Sequence, residues 1–246
     1  MTERKSFRVL DVGCGEGSVI DNLLIRTDAK RKGNLEYHGV DLFDEQGLVM
    51  PKRKREERKT KIEENEGKCI FTKARLNFRE PDELGKHLLH IAGGKVDEIH
   101  FHMPLERDYT PEVLQALTHL LKRGGRLYHI MDYKTMEKLT EIKQPLLQLS
   151  DEKSQAKIDA MFTRNKQRVT KVLKKSGLKL DRYGMAYTTK PQWSGGPFTA
   201  NPITRESLQW KLDRQHNTLN EQTRQLVWQH TGDSYAALHF LIAKKM

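Results

Sequence analysis

The stretch Phe7-Arg-Val-Leu10-Asp11-Val-Gly13-Cys-Gly15-Glu-Gly17 decides how this chain folds. Phe7 to Leu10 is a short apolar run of strand character, and Asp11 to Gly17 is a turn with glycine at three alternate positions. Ser18 to Arg26 follows with apolar side chains at 19, 20, 23 and 24, which is the spacing of one helical face. Strand, tight loop and amphipathic helix open a βαβ unit, and Tyr37-His-Gly-Val-Asp41-Leu42 closes it with a second strand that ends on an acid.

The same alternation continues outward. Strand-like runs return at Cys69 to Phe71, Val96 to Phe101 and Arg126 to Met131, and a helix is predicted from Pro111 to Lys122, with proline in its first turn and Gly124-Gly125 beyond its end. Through residue 132 the pattern predicts an α/β fold: a Rossmann-like, doubly wound, mostly parallel sheet. Residues 136 to 177 read as predominantly helical, Leu178 to Leu180 as the start of another strand, and His239 to Ala243 as a closing strand. The domains expected are a core over 1–188, an insertion or lid over 189–234 that faces substrate, and the closing strand of the core within 235–246.

Lys+Arg number 44 against 33 Asp+Glu, a formal charge of +11. The resulting field attracts polyanions, so nucleic acid is the leading class of partner, with a basic but otherwise ordinary enzyme as the other reading. No apolar run approaches the roughly 18 residues of a membrane span, and charges stand where a secretory segment would be apolar. A soluble, cytoplasmic protein without membrane partners is expected. Cys14 and Cys69 make neither a disulfide framework nor a zinc site and are expected to be reduced. Residues 52 to 66 form a highly charged run without an apolar stripe, read as an exposed helix or loop unable to bury a face. Its basic half, 52 to 61, is either a phosphate-contacting arm or a solvated face.

The glycines are spaced G-x-G-x-G, with an acid two residues before the first. In this form, with an acid at the end of the second strand, the segment resembles the first motif of the class I S-adenosylmethionine-dependent methyltransferase superfamily, D/E-x-G-x-G-x-G. The resemblance spans about residues 7 to 132 and implies S-adenosyl-L-methionine as cofactor. Gly13, Gly15 and Gly17 would border its methionine part, Asp11 would help position the ammonium group, and Asp41, followed by Leu42, would accept hydrogen bonds from both ribose hydroxyls. Apart from the resemblance, a carboxylate is acceptor-only and a vicinal diol offers two matching donors. An NAD or other nucleotide site is the alternative for such a loop. The acid that many members carry after the third strand is absent from Phe71-Thr-Lys-Ala-Arg-Leu-Asn77, which leaves adenine to backbone groups or to Asn77.

Ligands of open α/β sheets bind outside the carboxyl ends of the strands, so residues 102 to 108 are candidates to touch substrate. The stretch Glu98 to Asp132 resembles, over about 35 residues, the tRNA (guanine-N7) methyltransferases, with Pro104 and Asp132 in comparable places. His102 and Met103 replace that family's Asn-Phe, and its Asp-Pro-Trp continuation is absent. His102, Pro104 and Asp132 are the catalytic candidates, and a base nitrogen of RNA, tRNA above all, is the expected acceptor. Glu98, His100 and His102 alternate along one strand face without completing a metal's ligand set, and no metal is expected. Tyr187, Trp193 and Phe198 would stack on an extruded base or pack the insertion, while Trp210 and Trp228 read as core or interface anchors. The alternatives are a methyltransferase-like RNA-binding or scaffolding subunit and a small-molecule methyltransferase. Oligomeric state is not legible in the sequence.

Overall fold

The computed structural model describes residues 6–14, 17, 19–26, 34–41, 52–102, 110–132, 136, 139, 152–188 and 236–246. The strands are β1 (Phe7–Val12), β2 (Leu35–Asp41), β3 (Lys68–Lys73), β4 (Val96–His102), β5 (Leu121–Asp132), β6 (Leu178–Thr188) and β7 (Ala236–Lys245). They form one seven-stranded sheet in the order β3-β2-β1-β4-β5-β7-β6. The described helices of eight residues or more are α1 (Val19–Arg26), α2 (Lys52–Glu63), α3 (Pro81–Ile91), α4 (Pro111–Leu120) and α5 (Glu152–Lys175). This is the doubly wound, Rossmann-like arrangement expected from the alternation of strand and helix.

The chain divides into two compact units: Met1–His102 with Glu112–Tyr128 and Lys244–Met246, and Met103–Pro111 with His129–Ala243. In the first, β1 is parallel to β2, from Phe7↔Leu35 to Val12↔Val40, and on its other side to β4, from Val9↔Glu98 to Val12↔Phe101. The chain therefore winds one way through β2 and β3 and then returns to the other flank of β1. That reversal makes the carboxyl ends of β1 and β4 a topological switch point, the place where open α/β sheets bind their ligands. Val19, Ile20 and Leu23 of α1 bury the predicted helical face against Val9, Leu35 and Tyr37.

The structure corrects two expectations. The predicted helix ends at Leu120 rather than Lys122, and Leu121 already belongs to β5. The Lys245 ammonium donates to the carbonyls of Thr118 at 2.9 Å and Leu121 at 2.8 Å, which a longer helix would offer to its own later N–H groups. The charged run, for its part, does bury a face. It forms α2 over Lys52–Glu63, Ile62 is fully buried, and Arg58 and Lys61 hold Asp21 of α1 at 3.0 and 2.9 Å. One apolar residue and two long cationic stems dock a helix that lacks any apolar stripe. Burial alone would raise the Asp21 pKa, but the hydrogen bonds from Lys61 and Arg58 outweigh it and hold the carboxyl below its usual range.

In the second unit, α5 covers most of the described part of the predicted helical region and buries Val169 and Leu173, and Met136 and Leu139 are helical as well. It stops at Gly177, whose φ of 75° suits the left-handed residue after a helix, and β6 begins at Leu178 as expected. The closing strand is present as β7, longer than predicted. The 189–234 segment, with Trp193, Phe198, Trp210 and Trp228, lies outside the described residues, as does the side chain of Tyr187. No helix among the described residues is long and apolar enough to cross a membrane.

His239 of β7 is fully buried, its Nδ1 lies 2.9 Å from the Tyr183 hydroxyl, and burial pushes its pKa down to about 3. An unfolded histidine takes up a proton near pH 6.5, whereas the folded one stays neutral to about pH 3. The stability from keeping it neutral is thus complete above pH 6.5 and is lost as the pH falls from there toward 3. His239 should contribute up to about 1.4 kcal/mol of destabilisation per pH unit below 6. Urea unfolding at pH 7, 6 and 5 should show a shallower decline for His239→Asn; equal slopes would rule the contribution out.

Candidate functional site

Gly13 has φ 72° and Gly17 φ 74°, so the loop after β1 turns through backbone angles that glycine alone adopts at little cost. The Val40 carbonyl accepts from both Gly13 N–H, at 2.8 Å, and Cys14 N–H, at 3.2 Å, while Gly17 N–H donates to Cys14 O at 2.8 Å. These three N–H groups are thereby spent on fixing the loop. A Cβ on Gly17 would lie 2.9 Å from Phe71 Cζ and 3.2 Å from Ile20 Cδ1. What needs a bare backbone there is the Phe71 ring, a side chain of the protein itself. Gly39 serves the same packing, since a Cβ would meet Cys14 Sγ and Phe71 Cδ1 at 2.9 Å each.

Asp11 is buried and accepts a 2.6 Å hydrogen bond from the Tyr37 hydroxyl. Its register partners are Gly39 and His100, so Tyr37 on β2 reaches the acid across the face that the missing Gly39 side chain leaves open. Burial, reinforced by the Asp11 charge, pushes the Tyr37 pKa far up and keeps its proton in that bond. The Cys14 thiol is likewise raised, by burial first and then by Asp11 and Asp41, with Arg55 of α2 opposing. Burial raises the Cys69 thiol to about 12. Neither thiol is a nucleophile at neutral pH.

Asp41 ends β2, half-buried, with Lys73 as its register partner, and its carbonyl accepts from Ala74 N–H at 3.0 Å. Asp41 and the Gly13 turn thus lie at the carboxyl ends of paired strands, one hydrogen bond apart through Val40. Asn77 is exposed, and its side-chain oxygen accepts from Arg79 N–H at 3.1 Å, so it shapes the turn into α3. His102 and Asp132 are the last residues of β4 and β5; their side chains lie outside the description, as do Gly15, Leu42 and Pro104 altogether.

On β4, Glu98 and His100 are buried together, with His100 Nε2 3.3 Å from a Glu98 carboxylate oxygen. The Tyr128 ring lies parallel to the imidazole at 4.6 Å. Among the described residues no group of three His, Cys, Asp or Glu side chains is placed to hold a metal ion. Tyr37, Phe71 and Tyr128 are the residues that sequence reasoning missed around the site. Tyr37 and Gly39 share a face of β2 with Asp41, a period-two signal that was readable, but the contact of Phe71 with Gly17 depends on strand register.

No protein-family model matches the chain, and no curated protein matches it. Among solved structures it is similar to the plantazolicin methyltransferase BamL in complex with SAH, at 18% identity over 100% of this chain and 79% of that one, with a TM-score of 0.44. The 16S rRNA methyltransferase KamB shares 13% identity over 99% and 89%, with a TM-score of 0.46. Phosphoethanolamine N-methyltransferase 2 of Haemonchus contortus, in complex with S-adenosyl-L-methionine, shares 15% over 98% and 49%, with a TM-score of 0.42. Likeness at this level carries no assignment of cofactor or substrate.

Proposed function

We propose that the chain is a class I S-adenosylmethionine-dependent methyltransferase that acts in the cytoplasm on RNA, at a base nitrogen of tRNA. The observation that supports this reading best is the pairing of a glycine turn at the β1/β4 switch point with a carboxylate at the end of the neighbouring strand, Asp41. The donor set fits the cofactor. Asp41 offers two acceptor oxygens to a vicinal diol, Gly13 presents a half-exposed turn without a side chain, and Asp11, held by Tyr37, braces that turn where the ammonium group would sit. By the same resemblance Gly15, Gly17 and Leu42 would also border the cofactor, and the Asn77 turn would border the adenine.

The bound cofactor supplies an activated methyl group on a sulfonium. The chain's own work is to hold the acceptor in line with it and to exclude competing orientations. His102 ends β4, which pairs with β1, Asp132 ends β5, the next strand in the sheet order, and Pro104 follows β4 in the sequence; on this reading all three serve the acceptor. A ring nitrogen with an available lone pair needs no strong base, in keeping with two protonated, buried thiols. Asp132 would accept from an exocyclic amine or ring N–H and so orient the base. Asp132→Ala should slow transfer at least about tenfold, equivalent to about 1.4 kcal/mol in the barrier, with little change in cofactor affinity. A wild-type rate in the folded variant would place the acceptor elsewhere.

The test of the proposal is incubation with methyl-labelled S-adenosylmethionine and separate pools of tRNA, rRNA, protein extract and small metabolites. Label in tRNA is the expected result. Label confined to protein or metabolites would overturn the RNA reading, and label in no pool would favour a binding module.

A further inference from the structure

Residues 160 to 180 hold seven Lys and Arg and not one acid, a local charge of +7 in a chain whose total is +11. The α2 helix is as rich in cations but carries Glu56, Glu57 and Glu63 among them, and its Arg53, Arg58, Lys59 and Lys61 pair with acids. Unbalanced positive charge is therefore concentrated on the second half of α5 and the start of β6.

Arg164, Lys171, Lys174 and Lys175 are exposed, and none of the four side chains makes an ion pair or hydrogen bond among the described residues. Lys166 and Arg168 of the same helix have partners and do not belong to this group. At about 3.6 residues per turn, positions 164, 171 and 175 fall within about 40° of one another, a straight stripe about 16 Å long with Lys174 beside it. Asn165, Val169 and Leu173 are buried about 140° away round the axis, so the stripe lies on the outward side of the helix.

Lys174 and Lys175 stand in the last turn of α5, where cations suit the helix dipole. Arg164 and Lys171 lie before that turn and gain nothing from it. Lys171 also stands three and four residues before Lys174 and Lys175, spacings at which like charges on a helix repel. A row of anions against the stripe would relieve that repulsion. The uncharged exposed positions described on α5 are Ala160, Thr163, Gln167 and Thr170, without the large apolar or aromatic side chains that a membrane-surface helix or a protein interface sets beside its cations.

We infer that Arg164, Lys171, Lys174 and Lys175 form a phosphate-contacting surface on α5 that receives the sugar–phosphate backbone of RNA. The inference rests on the RNA methyltransferase reading and adds which surface of the fold holds that RNA. A duplex strand presents a phosphate about every 3.4 Å of axis, so a stripe of about 16 Å faces several of them. Contacts of this kind position a nucleic acid without reading its sequence.

The test measures the affinity of the full chain for unfractionated tRNA between about 50 and 200 mM KCl. Arg164→Gln/Lys171→Gln/Lys175→Gln removes three charges from the stripe with little change in helix propensity, and Lys95→Gln/Arg123→Gln/Lys244→Gln removes three exposed charges elsewhere in the chain. The stripe variant should flatten the slope of log K against log salt by about two, from about 0.7 per phosphate contact, and lower affinity at about 100 mM at least about tenfold. The second triple variant and Lys171→Arg/Lys175→Arg should keep the wild-type slope. Unchanged circular dichroism and cofactor binding would confirm that the variants are folded. In the wild type, bound tRNA should protect Lys171, Lys174 and Lys175 from acetylation and leave Lys95 and Lys244 reactive, a readout that needs no variant. A wild-type slope in the folded stripe variant, an equal loss in both triple variants, or unprotected α5 lysines in the tRNA complex would overturn the surface while leaving the RNA reading intact. Absence of salt-dependent tRNA binding by the wild type would overturn the RNA reading itself. Loss of binding to phosphatidylserine vesicles but not to tRNA in the stripe variant would make the stripe a membrane contact and overturn it as a nucleic-acid site.

Discussion

Gly17→Ala should lower the unfolding free energy by roughly 2–5 kcal/mol, more than a left-handed backbone alone explains. An alanine at φ 74° bears about 1–2 kcal/mol of backbone strain. Its methyl carbon would also stand 2.9 and 3.0 Å from two atoms of the Phe71 ring, and that ring packs edge-on against buried Tyr37 with centroids 5.7 Å apart. Overpacking of this kind typically adds about 1–3 kcal/mol. Gly93 provides the comparison, because its φ is 62° and a Cβ there meets nothing within 4 Å. Gly93→Ala should show the backbone component by itself. The midpoints of urea unfolding separate the two, and equal losses would mean that the Phe71 ring yields freely and that Gly17 is needed only for its angle. The movement of Phe71 would displace the turn beneath the cofactor, so Gly17→Ala should also weaken S-adenosylmethionine binding, whereas Gly93→Ala should not.

Where the sequence spoke plainly, it did so through period and punctuation. The strand, glycine turn and helix from Phe7 to Arg26 are legible because buried apolar positions repeat at strand and then helix spacing, and because glycine adopts the angles found at Gly13 and Gly17 at the least cost. Asp41 was legible as the acid that ends an apolar run. The end of α4 was not, since it is set by Lys245, more than 120 residues away in the chain, which takes the carbonyls of Thr118 and Leu121. The docking of α2 was hidden for a related reason: a hydrophobic pattern does not register an ion pair with Asp21 or the burial of one isoleucine. Similarly, the sequence identifies Asp11 as an acid beside the glycines but does not show that Tyr37 holds it, because that bond exists only once β1 and β2 are in register.

The cofactor site stands or falls on Asp41. Its carboxylate ends the strand that pairs with β1, beside the turn at Gly13, and is the one charged acceptor that the proposal gives to the ribose diol. Removing a hydrogen-bonded charge of this kind costs about 1.5–3 kcal/mol of binding, which is roughly 10- to 150-fold in affinity. Asp41→Asn should lose part of that, since an amide keeps one acceptor oxygen. The direct measurement is calorimetric titration of S-adenosylmethionine into the folded wild type and the folded Asp41→Ala variant. One saturable site in the wild type, weakened by about 1.5–3 kcal/mol in the variant, is the predicted result; no binding to the wild type, or undiminished binding to the variant, would contradict the assignment.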